Sequence, residues 1–129
     1  MQKQGIFRLG LLVLLLGCAG LSHTVFAHHS TAMFDQSQVM EFTGVVKEFQ
    51  FTNPHSWIQV YNDETGEQVE WSLEWGSPNR LIREGVNPAT FAPGAPVTIR
   101  TYPMLDGAPA GLFIGARFED GRTIGRWED

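Results

Sequence analysis

The order of short strand-like segments around a single helix constrains the fold of this chain more than any other feature of its sequence. Apolar and polar side chains alternate after residue 68, so that Val69, Trp71 and Leu73 share one face of a predicted strand. Four other segments are rich in β-branched and aromatic residues and are bounded by turn residues. They span residues 42–51, 56–61, 96–102 and 111–118, and a last short strand is predicted at Arg122–Trp127.

A short helix is predicted between the third and fourth strands. Ser77 can cap this helix and Gly85 can end it, while Leu81 and Ile82 are predicted to face inward. Gly44 interrupts the long first strand, which indicates a bulge or a sharp coil. The order β-β-β-α-β-β predicts a mainly β protein, a small OB-like Greek-key barrel. An immunoglobulin-like sandwich would have about seven strands and no helix in mid-chain.

The start of the chain has the pattern of a cleaved export signal. Lys3 and Arg8 precede an apolar run that is shorter than the roughly 20 residues of a membrane span. Val25 and Ala27 are tolerated at the −3 and −1 positions of a signal-peptidase site. We therefore predict a periplasmic or secreted protein with no transmembrane span in its mature form. Its divisions are a signal peptide at residues 1–27, an N-terminal arm at 28–38 and an OB-like domain at 39–129.

A second processing site is the alternative. Residues 15–18 resemble a bacterial lipobox, in which Cys18 would be lipidated and would become the first residue. Cleavage after Ala27 would instead remove Cys18 and leave 102 residues without a thiol. A chain without cysteine has no disulfide, no thiolate metal site and no cysteine nucleophile, and it suits an oxidising compartment.

The mature chain is predicted to be strongly acidic. Removal of Lys3 and Arg8 from the nine Lys and Arg residues leaves seven against 14 Asp and Glu, a formal net charge of −7. Nucleic acid and anionic membranes repel such a chain, so the expected partners are a small ligand, a metal ion or a periplasmic protein. The sequence has no Ser-His-Asp order, no Gly-rich phosphate loop and no zinc-thiolate spacing, which favours a non-catalytic module.

Three histidines of the mature chain form a possible metal site: His28, His29 and His55. After cleavage behind Ala27, the α-amine and Nδ1 of His28 can chelate one metal ion. The imidazole of His55 would complete a three-nitrogen set, the arrangement called a histidine brace. Copper favours nitrogen-rich tetragonal sites and heads the divalent affinity order. Lipidation at Cys18 would remove this site, because His28 would then lack a free amine.

Other residues extend or replace this hypothesis. His29 could bind a metal on its own, and three methionines could provide thioethers for cuprous copper: Met33, Met40 and Met104. The simpler interpretation is that the paired histidines are a polar chain start and that His55 is a turn residue beside Asn53-Pro54. Trp57, opposite Ile58 in its strand, is predicted to line a ligand groove together with Asn53.

Two glutamates share the polar face of the third strand. Glu70 and Glu74 would lie about 13 Å apart on a strand, which exceeds the spacing of a retaining or inverting glycosidase pair. We therefore interpret Glu70 and Glu74 as part of a solvated strand face.

Several motifs resemble those of a family of small exported bacterial proteins that carry a domain of unknown function. They are Ala27-His-His-Ser30, Asn53-Pro-His-Ser-Trp57 and Asp120-Gly-Arg122. The resemblance covers nearly the whole mature chain and implies an OB-like periplasmic domain, without an established activity or ligand. Two functions remain open: a non-catalytic exported binding or accessory module for a small ligand or a protein, and a copper-binding protein that uses His28 and His55. Oxidative catalysis at a brace is a third.

Overall fold

The computed structural model describes residues 31–128, so that the predicted signal peptide, Cys18, His28 and His29 lie outside the described residues. A 3-10 helix, Thr31–Met33, is followed by β1 (Met40–Gln50), β2 (Trp57–Asn62), β3 (Val69–Glu74), α1 (Pro78–Arg83), β4 (Pro96–Pro103), β5 (Ala110–Phe118) and β6 (Thr123–Gly125). Within residues 31–128, no helix is both long enough and apolar enough to cross a membrane.

Five of the strands form a closed barrel, which confirms the predicted fold. β1 pairs antiparallel with both β2 and β4, β2 pairs with β3, and β4 pairs with β5. A parallel pairing of β3 with β5 closes the circle, and β6 extends the sheet beyond β5. The circular order β1-β2-β3-β5-β4, with α1 between β3 and β4, is that of a five-stranded Greek-key barrel of the OB type.

β1 serves two neighbours because it coils along its length. Its first half pairs with β4 and its second half with β2. At Gly44, a Cβ atom would collide with the carbonyl oxygen of Tyr61, so that only glycine allows the strands to approach this closely. The register shift lies further along, between Val46 and Glu48. The interruption predicted at Gly44 is therefore a close strand crossing, and the bulge follows it.

The core is dominated by aromatic rings around Phe91, which is inaccessible to solvent. Phe91 comes from the loop before β4, and its ring centroid lies 5.3 to 6.2 Å from those of four other rings, in tilted or edge-to-face orientations. These partners are Phe49, Trp75, Phe113 and Phe118. Such contacts stabilise a core beyond the area that they bury. The loop after α1 thus packs into one end of the barrel.

The short helix α1 packs one of its sides against the barrel. Leu81 is completely buried, whereas Ile82 is 59% exposed, so the prediction that both face inward is wrong for Ile82. Six residues make fewer than two turns, which leaves room for a single inward row. Ser77 occupies the N-cap position with its carbonyl accepting from the Arg80 backbone N–H, but its hydroxyl makes no capping bond. Gly85 ends the helix with a φ of 81°.

The segment before β1 is anchored on the barrel. Phe34 is buried and forms a bridge with Met104, and the backbone N–H of Asp35 donates to the carbonyl of Pro103 at 2.8 Å. The Ser37 hydroxyl and backbone N–H both donate to the Asp35 carboxylate, which lowers the pKa of this group. The chain therefore enters the described structure beside the connection between β4 and β5.

The two neighbours in α1 give a matched test of this packing. Leu81→Ala should lower the free energy of unfolding by about 2–5 kcal/mol, because it leaves a cavity in the core. Ile82→Ala changes a side chain of similar size on the exposed side and should shift it by less than about 0.5 kcal/mol. Urea unfolding followed by tryptophan fluorescence measures both values. Equal effects of the two substitutions would contradict the orientation of α1.

Candidate functional site

A cavity of about 790 Å³ opens at one end of the barrel. It is bounded by the 3-10 helix, the end of β3, helix α1, strand β5 and the chain around β6. Its walls include the apolar side chains of Trp75, Val86 and Phe113. Its charged and titratable lining consists of His55, Glu74, Arg80, Glu84 and Arg126. The cavity therefore combines an apolar wall with a polar rim, as ligand sites of this size commonly do.

The backbone on either side of His55 is tied to the rest of the barrel. The Thr52 hydroxyl donates to the His55 carbonyl at 3.1 Å, which closes the loop between β1 and β2. Ser56 exchanges backbone hydrogen bonds with the end of β3: its N–H donates to Gly76 at 3.0 Å, and its carbonyl accepts from Trp75 at 2.9 Å. His55 therefore lies in a loop whose backbone is held by hydrogen bonds on both sides of the residue.

The side chain of His55 is held by Glu74. Its Nδ1 contacts Oε1 of the Glu74 carboxylate, and the Glu74 side chain is only 15% exposed. A carboxylate on Nδ1 sets the orientation of an imidazole, so a metal ion bound by His55 would be bound through Nε2. Metal-binding histidines commonly have such a carboxylate on their other nitrogen. Across residues 31–128, no group of three His, Cys, Asp or Glu residues is placed to hold a metal ion.

The structure separates the predicted groove from the cavity. Trp57 begins β2 directly opposite Glu74 and is half-buried on the outer face of the barrel, whereas Asn53 is exposed in the preceding loop. His55 is the predicted site residue that lines the cavity, and Glu74 neighbours both His55 and Trp57. The metal hypothesis and the groove hypothesis therefore concern adjoining surfaces on two sides of Glu74.

The N-terminal segment reaches the same cavity. Thr31 and Met33 line it together with His55. His28 and His29 precede this segment and lie outside the described residues.

Glu74 is the residue that the sequence interpretation missed. Glu70 does lie on a solvated face, where its carboxylate pairs with Lys47 at 2.7 Å, but Glu74 is mostly buried against His55. The sequence feature that could have identified Glu74 is the strand register. A hairpin turn centred near residues 65–66 places Trp57 opposite Glu74, and it therefore places Glu74 beside the histidine that precedes this strand.

The remaining rim charges differ in their partners. Arg80 donates from Nε to Oε1 of Glu84 at 2.8 Å, one helical turn away, so these two charges offset each other. Arg126 donates to the Tyr102 hydroxyl at 3.4 Å, and no carboxylate of the described residues forms an ion pair with it. The lining thus has two paired carboxylates and one guanidinium without an acidic partner among residues 31–128.

The fold and this cavity define a small OB-type barrel with a candidate ligand site at one end. The chain belongs to DUF6152, a family of unknown function, whose family model matches residues 16–114. The match includes the three histidines and Glu74. No curated protein and no solved structure matches the chain significantly. Family membership is consistent with the resemblance seen in the sequence motifs and provides no ligand.

The contact with Glu74 predicts the tautomer of His55. With the carboxylate on Nδ1, the neutral ring should carry its proton there, and Glu74→Leu should shift it toward the Nε2–H form. Glu70→Leu is the matched control, since Glu70 is on the same strand and pairs with Lys47 instead. Long-range proton–nitrogen NMR at a pH where the ring is neutral distinguishes the tautomers. An unchanged tautomer in Glu74→Leu would contradict the assigned contact.

Proposed function

We propose that this protein is an exported, non-catalytic binding module whose ligand site is the cavity at the end of the barrel. The observation that carries the proposal is the cavity itself: its volume of about 790 Å³ lies in the range of about 300–1,000 Å³ common for small-molecule sites. The two carboxylates at its rim, Glu74 and Glu84, are paired with His55 and Arg80. These pairs hold the polar side chains in position, so that they can orient a ligand. The predicted signal peptide supports a periplasmic or secreted location.

A cavity-filling substitution tests this proposal. Anilinonaphthalene sulfonate, an anionic aromatic probe, should bind the processed protein at one site and gain fluorescence, because the cavity offers an apolar wall and the Arg126 guanidinium. Thr31→Trp adds bulk at an exposed residue of the cavity lining and should abolish most of this gain. Thr65→Trp, in the exposed turn between β2 and β3, should retain it. Equal fluorescence in both variants, or none in the unmodified protein, argues against an organic ligand here.

A second candidate function, copper binding, is favoured by the contact between His55 and Glu74. That contact orients the ring, as outer carboxylates do in known metal sites. The other ligands would be the α-amine and Nδ1 of His28, which become available together only if the chain begins at that residue. Imidazole and amine nitrogens suit cupric copper.

The arrangement of the N-terminal segment also supports this candidate. Thr31 lines the cavity with His55, and only two residues separate His28 from Thr31, which limits the distance between their Cα atoms to about 11 Å. Phe34 and Asp35 attach the start of the described chain to Met104 and Pro103, at the end of β4.

Cupric titration of the exported protein tests the brace. His28→Ala, His55→Ala and a form with one extra N-terminal residue should each bind copper at least about 100-fold more weakly, since loss of even an outer-sphere group costs about 10–100-fold. Glu74→Gln should show that smaller loss. His29→Ala is the matched control and should bind normally. The measurement is competition against a cupric chelator of known affinity, on protein whose first residue has been established by intact mass.

Three results would refute the copper candidate. They are a mass that shows a lipidated Cys18 at the N-terminus, the absence of tight cupric binding to correctly processed protein, and equal affinity in the His28→Ala, His55→Ala and His29→Ala variants. The cavity proposal is independent of these outcomes, because the fluorescent probe needs neither histidine.

A further inference from the structure

We propose that the ligand of the cavity is a small anion with an apolar body, and that the guanidinium of Arg126 binds its anionic group. This inference rests on the proposed function, because it names the chemical class of the molecule that the same cavity takes. It depends on three features of the cavity: the pairing of the charges in its lining, the position of Arg126 and the apolar wall.

The charges in the cavity lining are unequally paired. Oε1 of Glu84 accepts a hydrogen bond from Nε of Arg80 at 2.8 Å, and the Glu74 carboxylate contacts Nδ1 of His55. Arg126 lines the same cavity and forms no ion pair with any carboxylate of residues 31–128. A cationic ligand would meet an unpaired guanidinium and two carboxylates that already have partners. The lining therefore favours a ligand with a negative charge.

The Arg126 guanidinium retains donors for such a ligand. An arginine side chain has five N–H donors in a planar fork, which fits the oxygens of a carboxylate or a similar anion. Within the described part of the chain, its side chain makes one hydrogen bond, from Nη2 to the Tyr102 hydroxyl at 3.4 Å. A neutral apolar ligand would displace water from the guanidinium without replacing its hydrogen bonds. An anion would replace them.

The chain around Arg126 is held against the barrel and carries further positive charge. The Arg126 backbone N–H donates to the Ile114 carbonyl at 2.9 Å. The ring centroid of the next residue, Trp127, lies 4.0 Å from the guanidinium carbon of Arg100 and 5.1 Å from that of Arg117. Three guanidiniums are thus grouped at the end of a chain that is acidic as a whole, and their field attracts anions to this side of the barrel.

The apolar wall of the cavity suits the body of the ligand. Trp75 and Phe113 line the cavity, and both belong to the core, with their ring centroids 4.6 Å apart. Val86, which is also buried, adds an aliphatic side chain to the same lining. Side chains held in the core offer a surface that needs no rearrangement on binding. Contact with this wall contributes affinity, while the guanidinium provides the selection for charge.

Two fluorescent probes with the same ring system separate these contributions. Anilinonaphthalene sulfonate carries an anionic group that phenylnaphthylamine lacks, and both are titrated into the exported, processed protein. Arg126→Gln should weaken sulfonate binding by at least about tenfold, as the loss of a charge-assisted hydrogen bond does, and should leave phenylnaphthylamine binding within a factor of about three. Arg126→Lys keeps the charge without the planar fork and should lose less than Arg126→Gln.

Arg83→Gln is the matched control, since Arg83 is exposed on α1 and lies outside the cavity lining. It removes the same charge and should leave both affinities unchanged. A loss of sulfonate binding in Arg83→Gln equal to that in Arg126→Gln would indicate an effect of net charge and would overturn this inference. Equal losses of both probes in Arg126→Gln would indicate a change in cavity shape and would also overturn it.

The probe pair distinguishes failure of this inference from failure of the proposed function. If both probes bind, if Thr31→Trp removes their binding and if Arg126→Gln changes neither affinity, the cavity proposal stands and the selection for an anion is overturned. If neither probe binds the unmodified protein, both proposals are overturned.

Discussion

The parallel pairing of β3 with β5 is the interaction on which the rest of the structure depends. Ser72–Glu74 pair with Ala110–Leu112, two segments far apart in the chain, and this short ladder converts a curved sheet into a closed barrel. On its other side, β5 packs very closely against β4, since a Cβ atom at Gly111 would collide with the hydroxyl of Thr101. That hydroxyl is buried and donates to the Leu112 carbonyl at 2.9 Å, so glycine at 111 and threonine at 101 are matched to each other.

The same closure creates the candidate site. Glu74 is the last residue of β3, with Leu112 of the cavity lining beside it on one side and Trp57 of β2 on the other. Because His55 precedes Trp57 by two residues, its ring can turn back onto the carboxylate at the end of β3. The segment after the predicted cleavage site is attached to the neighbouring strand through Phe34. Three parts of the chain that are distant in sequence thus meet at this end of the barrel.

Much of the fold could be predicted from the sequence, because strands and turns leave local patterns. The alternation at Val69–Leu73 and the helix position between the third and fourth strands are enough to indicate the barrel. Ile82 was misplaced because a six-residue helix is too short for its periodicity to distinguish one face. Glu74 was missed because its partner depends on the register of a hairpin, which is a property of the turn and of cross-strand packing. His55 could be identified as a candidate metal ligand from its residue type, but its contact with Glu74 could not be predicted.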